Sequence, residues 1–239
     1  MRLLLFLCFI SSSAFSQELA DTSYGRLYRN SYTVGIHFNT SGWGFYGEMS
    51  KQKTYKYHHV VGLQISNIHH KNEFKTSTVN QNGTFFYYKL NSLVAMRPTF
   101  GGNLLLFESR RENGIQIHYK WKAGPSFGLL KPIHLKIAIP GSISGSIEQR
   151  YNPENHGYSD IVGRANWVRG LGQSKMQLGI HSKHGFNFNF AREKDGISGG
   201  EIGFMFDYYP FSEVEIMYEA ENYRMFSAFY LQFELGNRF

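Results

Sequence analysis

Apolar and polar residues alternate with a period of two along most of the chain, the signature of β-strands with one apolar and one polar face. Tyr32, Val34, Ile36 and Phe38 oppose Thr33, Gly35, His37 and Asn39. After Thr40-Ser41-Gly42 the pattern resumes with Trp43, Phe45 and Met49 against Gly44, Tyr46 and Glu48, so the two runs form a hairpin. Val61, Leu63 and Ile65 face away from Gly62, Gln64 and Ser66. A polar stretch, 69–83, precedes a long fourth strand expected over Thr84 to Arg97. The fifth sets Ile115, Ile117, Tyr119 and Trp121 against Gln116, His118, Lys120 and Lys122.

An interruption at about 130–158 carries Pro140-Gly141-Ser142. Its middle (Ile133, Leu135, Ile137, Ile139) alternates as an extra hairpin would. Further strands are expected around Ile161 to Trp167, Met176 to Phe190, Ile202 to Tyr208, Val214 to Tyr218 and Phe229 to the C-terminus. This makes an all-β, antiparallel, up-and-down architecture of about ten strands. Eight or twelve stay open, with residues 130–158 deciding. An even number returns both termini to one side. If that side is the periplasm, segments 70–83, 130–158 and 191–197 face outward, and 98–112 lies opposite. No helical period persists after the N-terminus, and no internal repeat is present.

The first residues follow a different pattern. Arg2 precedes the apolar run Leu3 to Ile10, and Ala14-Phe15-Ser16 before Gln17 matches a small-x-small cleavage site. Residues 1–16 therefore read as a secretory signal peptide and 17–239 as one domain. Cys8, the single cysteine, would leave with the peptide, so no disulfide or cysteine-held metal is expected. No later run approaches the roughly 18 apolar residues of a spanning helix. A membrane location then requires a closed barrel, which alone besides helices satisfies every backbone group in lipid.

The last strand organises the rest. Phe229, Leu231, Phe233 and Leu235 alternate with Tyr230, Gln232, Glu234 and Gly236, and the pattern ends on Phe239. An amphipathic final strand ending in Phe resembles the closing strand of Gram-negative outer-membrane β-barrels. The resemblance spans nearly the whole domain and is similar to Bacteroidota-type barrel families without a characterised molecular function. It implies Phe233, Leu235 and Phe239 as the assembly signal. It also implies export to the cell outer membrane, and as partners the barrel assembly machinery, outer-membrane lipid and other envelope proteins.

Composition changes the picture in two ways. Aromatics make up 17% of the 239 residues and glycine contributes 25, while proline contributes only 6. The net charge of +7 is scattered without a basic cluster, so no nucleic-acid partner is expected. Alternation alone does not separate a membrane barrel from a soluble one, because only the direction of the apolar face differs. Several runs exceed the ~9–11 residues that cross a bilayer. Aromatic residues also gather near strand ends, at Tyr32, Trp43, Tyr57, Trp121, Trp167, Tyr208, Tyr209 and Tyr223. Both favour the membrane.

The polar faces then point into a lumen. The network expected there comprises Lys89, His118, Lys120, Lys122 and Arg164 with Glu201, Asp207, Glu215, Glu219 and Glu234. His37, Glu48, Gln64 and His181 share those faces. Long side chains of both signs fill a barrel of this size and leave little open pore. The basic fifth strand and the acidic run Glu213, Glu215, Glu219 look like its two halves.

Catalytic motifs are weak. Gly196-Ile197-Ser198-Gly199-Gly200 matches Gly-x-Ser-x-Gly, yet the nucleophile elbow needs a strand-to-helix turn and here a strand begins. His58-His59 and His69-His70 point to opposite strand faces and do not chelate as pairs. The loop Asn152 to His156, with Asp160 beyond, lacks the dense Asp spacing of a calcium site. The expectation is no catalysis, no cofactor and no metal. The protein reads as a structural or accessory barrel of an envelope or secretion assembly. A narrow channel for small solutes and, behind it, a lipid-modifying enzyme are the alternatives.

Overall fold

The computed structural model describes residues 30–77, 84–108, 114–139, 145–190 and 196–239. The expected signal peptide with Cys8, the Pro140-Gly141-Ser142 turn and residues 191–195 lie outside them.

Eight alternating segments form the wall: β1 (Asn30–Asn39), β2 (Gly42–Gln52), β3 (Tyr57–Ile68), β6 (Asn91–Phe107), β7 (Ile115–Pro132), β11 (Lys175–Phe190), β12 (Gly196–Tyr208) and β13 (Met225–Arg238). Each pairs antiparallel with the next, and β1 pairs with both β2 and β13, so the sheet closes and leaves no edge. Partners followed from Ile36 through Phe45, Ile65, Met96 and Phe127 arrive at Leu178, beyond Ile180 where the β11–β12 ladder stops. The path climbs as it circles, which is the tilt that barrel closure demands.

The β1–β2 turn shows how tightly the chain fixes this geometry. The Asn39 side chain accepts from the Ser41 N–H at 2.9 Å. A Cβ on Gly42 would stand 2.0 Å from the Asn67 carbonyl, so only glycine lets β3 approach here.

The polarity is inverted relative to a soluble barrel. Val34, Ile36, Phe38, Phe45, Val61, Leu63, Ile202 and Leu231 are exposed on the outside, whereas His37, Glu48, Gln64, Lys122, Glu201 and Gln232 are buried inside. Such a surface is stable only in an apolar surrounding, so the chain is a transmembrane β-barrel. Among the described residues no helix is long and apolar enough to cross a membrane.

Shorter elements collect at the end opposite the termini. A hairpin of β4 (Lys75–Ser77) and β5 (Thr84–Phe86) joins β3 to β6. A three-stranded sheet ordered β10-β8-β9, from β8 (His134–Ala138), β9 (Ser146–Arg150) and β10 (Ile161–Arg164), joins β7 to β11. Phe85, Leu135, Ile137, Tyr151 and Ile161 form a core within this layer. Beneath it, Val214, Ile216 and Met217 from the β12–β13 connection pack on Ile68, Leu93, Leu130 and Tyr209 and close the barrel mouth. The mouth segment is tied down where the Leu90 N–H donates to Ile216 (2.9 Å) and the Tyr218 N–H to Tyr88 (2.8 Å). The ties are flanked by left-handed Tyr88 (φ 58) and Glu219 (φ 51).

The barrel has eight strands, one of the counts left open and two fewer than the ten expected first, because Ile161–Trp167 contributes only short β10, paired with β8 outside the wall. Val214–Tyr218 supplies a single bridge, Lys89 to Met217. The end of β11 and the start of β12 therefore lie at the terminal end and the 209–224 connection at the cap end, the reverse of the ten-strand order. The expected fourth strand divides at left-handed Tyr88, and its second part runs on past Pro98 to Phe107. Proline is tolerated there because the β6–β7 ladder skips residues 97–99 while β3 pairs throughout. The alternation at Ile133–Ile139 is β8, paired with β9 as a hairpin.

Candidate functional site

The lumen holds the molecule's densest chemistry. Lys120 and Lys122 point inward from β7, two residues apart, and Lys183 joins them from β11. Facing them are Glu48 on β2, Glu201 on β12 and Glu234 on β13. Lys120 lies 2.9 Å from Glu234, 3.5 Å from Glu201 and 3.9 Å from Glu48. Lys122 contacts Glu48 and stands 3.5 Å from Glu201, and Lys183 stands 3.6 Å from Glu201. Neutral groups take up the remaining valences. The Tyr230 hydroxyl donates to Glu201 at 2.6 Å, the Asn187 amide to Glu234 at 2.7 Å, and the Lys183 ammonium to Gln232. Lys183 also sits 4.0 Å from the Tyr230 ring centroid, a cation–π contact. The backbone is shaped for this cluster: a Cβ on Gly185 would fall 2.1 Å from the Tyr230 hydroxyl.

A second cluster lies nearer the cap. Arg97 grips Asp207 with two hydrogen bonds of 2.8 Å and also donates to Ser66. Asp207 further accepts from Ser126 (2.9 Å) and contacts His181 Nδ1 (3.1 Å), while Ser126 meets the Tyr209 hydroxyl at 3.0 Å. The Gln64 amide donates to His37 Nε2 at 3.0 Å. Four cations (Lys120, Lys122, Lys183, Arg97) thus face four carboxylates (Glu48, Glu201, Glu234, Asp207). Paired and hydrogen-bonded charge is the form in which burial is tolerated.

Of the residues expected in the lumen, His118, Lys120, Lys122, Glu201, Asp207 and Glu234 are buried on inward parities of the wall. The other four lie elsewhere. Lys89 is in the cap end, 2.6 Å from Glu73 and over the Phe86 ring. Burial holds its ammonium below the ordinary lysine range against the upward pull of the Glu73 carboxylate. Arg164 ends β10 and stacks over Phe86 at 5.0 Å. Glu215 and Glu219 are exposed on the 209–224 segment, which is not a wall strand. The acidic half of the network comes from three separate strands instead. Arg97 ends the strand expected over Thr84 to Arg97, and Lys183, outside the expected network, shares the parity of inward His181, which is the sequence signal that places it.

On the outer wall, Tyr32, Trp43 and Tyr208 are exposed near strand ends, whereas Tyr209 turns inward and Trp167 and Tyr223 belong to the cap end. Phe233 and Leu235 face outward from β13. Phe239 exchanges backbone hydrogen bonds with Asn30 at 2.9 and 3.1 Å. Ser198 sits at the start of β12, paired with Leu235 and exposed on the outer wall.

A Ser–His contact does occur outside the lumen: Ser182 Oγ is 3.1 Å from His184 Nε2, and Tyr119 hydroxyl is 2.9 Å from Nδ1. The order of groups is that of a nucleophile, a base and an orienting partner. However, β11 is laddered to β7 on one side and β12 on the other through this stretch. Backbone N–H groups committed to a ladder do not form an oxyanion hole. The contact instead satisfies both ring nitrogens of a histidine that faces lipid. Among the described residues no group of three His, Asp or Glu side chains is arranged to hold a metal ion.

No family model matches the chain, and none of the curated proteins compared with it does. Solved structures do resemble it in strand arrangement. Ail, the attachment invasion locus protein of Yersinia pestis, in complex with the heparin analogue sucrose octasulfate, is 8% identical with a TM-score of 0.43, over 88% of this chain and 97% of that one. Neisserial surface protein A is 7% identical with a TM-score of 0.42, over 88% and 95%. The N-terminal β-barrel domain of Pseudomonas aeruginosa OprF is 7% identical with a TM-score of 0.36, over 88% and 98%.

Proposed function

We propose that this chain is a non-catalytic outer-membrane barrel that conducts no solute and anchors a folded cap for contact with other envelope proteins, as a structural or accessory component. The observation that carries the reading is the sealed lumen. Three lysines and three glutamates from β2, β7, β11, β12 and β13 cross the interior and pair, each nearly inaccessible to solvent. An eight-stranded barrel has an interior just wide enough to be filled by side chains, and this one is filled by groups that hold each other. The mouth is closed a second time by Val214 and Ile216.

What the barrel offers outside the membrane is the cap, with its own apolar core and an acidic rim at Glu213, Glu215, Glu219 and Glu221. Outer-membrane residence is supported by the inverted polarity and by the sequence features of export and of a terminal Phe. The assembly-signal role stays with Phe233, Leu235 and Phe239, the first two facing lipid on the closing strand. Mild-detergent extraction of the tagged protein from outer membranes tests the role. Recovery with a stable protein partner is expected. A lone monomer whose cap can be removed without consequence for envelope integrity would contradict it.

A further inference from the structure

The lipid-facing wall is taller on one side than elsewhere. On β11 the outward row Phe190, Phe186 and Ile180 continues through Leu178 to Met176, which is 68% exposed. The β11–β12 ladder ends at Ile180–Tyr208, so Met176 stands four residues beyond it. That is about 13 Å along a strand at ~3.3 Å per residue, or roughly 10 Å of height at a barrel tilt of about 40°. β7 rises alongside, with Phe127 paired to Leu178 and Leu129 to Met176.

Directly above, the segment between β10 and β11 folds over the outer face of β7. Lys131 follows Leu129 on the outward parity; its ammonium lies 5.2 Å from the Trp167 ring centroid and donates to the Arg169 carbonyl at 3.4 Å. The segment is a built turn. The Val168 N–H donates to the Asn166 side chain (3.2 Å), and the Gln173 N–H to the Gly170 carbonyl (3.0 Å). Gly170 is left-handed (φ 84), and a Cβ there would meet the His134 ring at 2.6 Å. These bonds hold Trp167 and Val168 outward, 62% and 63% exposed, with Leu171 beside them.

A turn that spends its hydrogen bonds on presenting apolar side chains needs a surface to receive them. Here the surface is set by continuity, because the turn prolongs a wall whose lower part contacts lipid. We propose that Trp167, Val168 and Leu171 form a membrane-interface anchor, seated in the headgroup and ester layer of the cap-side leaflet. The chemistry suits that layer: indole carries an apolar body and one N–H donor, the combination enriched at membrane–water boundaries. Lys131 backs the ring from below, and Arg169, paired with Glu148 at 2.8 Å, marks the water edge. The proposal rests on the membrane-barrel reading.

The test uses the full chain in phosphatidylcholine vesicles. With Trp43→Phe and Trp121→Phe, Trp167 is the sole indole, since the protein has three tryptophans. Nitroxide quenchers are placed on the acyl chain near the ester or near the methyl end, and iodide is added in water. The anchor requires blue-shifted emission, stronger quenching by the shallow nitroxide than by the deep one, and weak quenching by iodide. Ready iodide quenching with no response to either nitroxide overturns it. Protection that appears only at high protein density overturns it too, assigning the wall to a second copy. A companion variant with Trp43 alone separates the two readings, because Trp43 faces outward from β2. If Trp43 is quenched from lipid and Trp167 is not, the anchor alone fails; if neither is quenched, the barrel reading fails.

Discussion

Glu201 is the residue on which most of the lumen converges: it stands within 3.6 Å of Lys120, Lys122 and Lys183 and accepts from Tyr230. Its removal leaves buried Lys183 without a carboxylate and takes one partner each from Lys120, which keeps Glu234 and Glu48, and Lys122, which keeps Glu48. Glu201→Ala should therefore cost about 3–5 kcal/mol, the range for breaking a buried pair by deleting one partner. Urea unfolding from lipid vesicles measures it, read by tryptophan emission. Glu215→Ala, on an exposed carboxylate, should change the same midpoint by less than about 0.5 kcal/mol. Equal effects would place the acidic partners of the lysines wrongly. Ser198→Ala should leave lipid composition unchanged, because Ser198 opens a strand and has no turn to present it. Alternation made inward-facing Glu201, Glu234, Lys120 and Lys122 legible in advance. It failed for Glu215 and Glu219, where a short run with the right period, Val214–Tyr218, is used to plug the mouth rather than to build the wall. Period two reports which residues share a face, and not what that face packs against.

The elements divide into wall and cap, and the division has a mechanical consequence. Every wall strand has both neighbours within the barrel, whereas β4, β5 and β8–β10 pair only among themselves. Replacing residues 133–174 by a short turn should leave a barrel that still shifts on heating in gel electrophoresis. Ile216→Ala should loosen the mouth by about 2–5 kcal/mol, read as faster proteolysis within 209–224 while the heat-shifted band persists. Loss of that band in either variant would show the cap to be part of the barrel's folding unit. The sequence favours ten strands over eight for the same reason. β10 and the Val214–Tyr218 run carry apolar residues because the cap has a core of its own, and in sequence a four-residue strand in a cap looks like a short strand in a wall. The strand expected to end at Arg97 runs on because Pro98 interrupts one ladder only, and pairing continues on its other side.

At the scale of the molecule, the barrel's interior is used for cohesion and its exterior meets lipid up to a raised flank at β7 and β11. Terminal closure was legible from Phe229 to Phe239, since that alternation belongs to the strand that meets β1. The tilt, the cap and the tall flank were not, because they arise from register between strands distant in the chain. Everything at this scale depends on a sealed lumen. The most direct measurement is single-channel recording of the purified, heat-modifiable barrel in a planar bilayer, beside the Glu201→Ala variant. A sealed lumen gives no discrete current steps from the native chain. Reproducible steps from the native chain, absent when the protein is heat-unfolded beforehand, would contradict it and return the lysines and glutamates to the role of a conducting path.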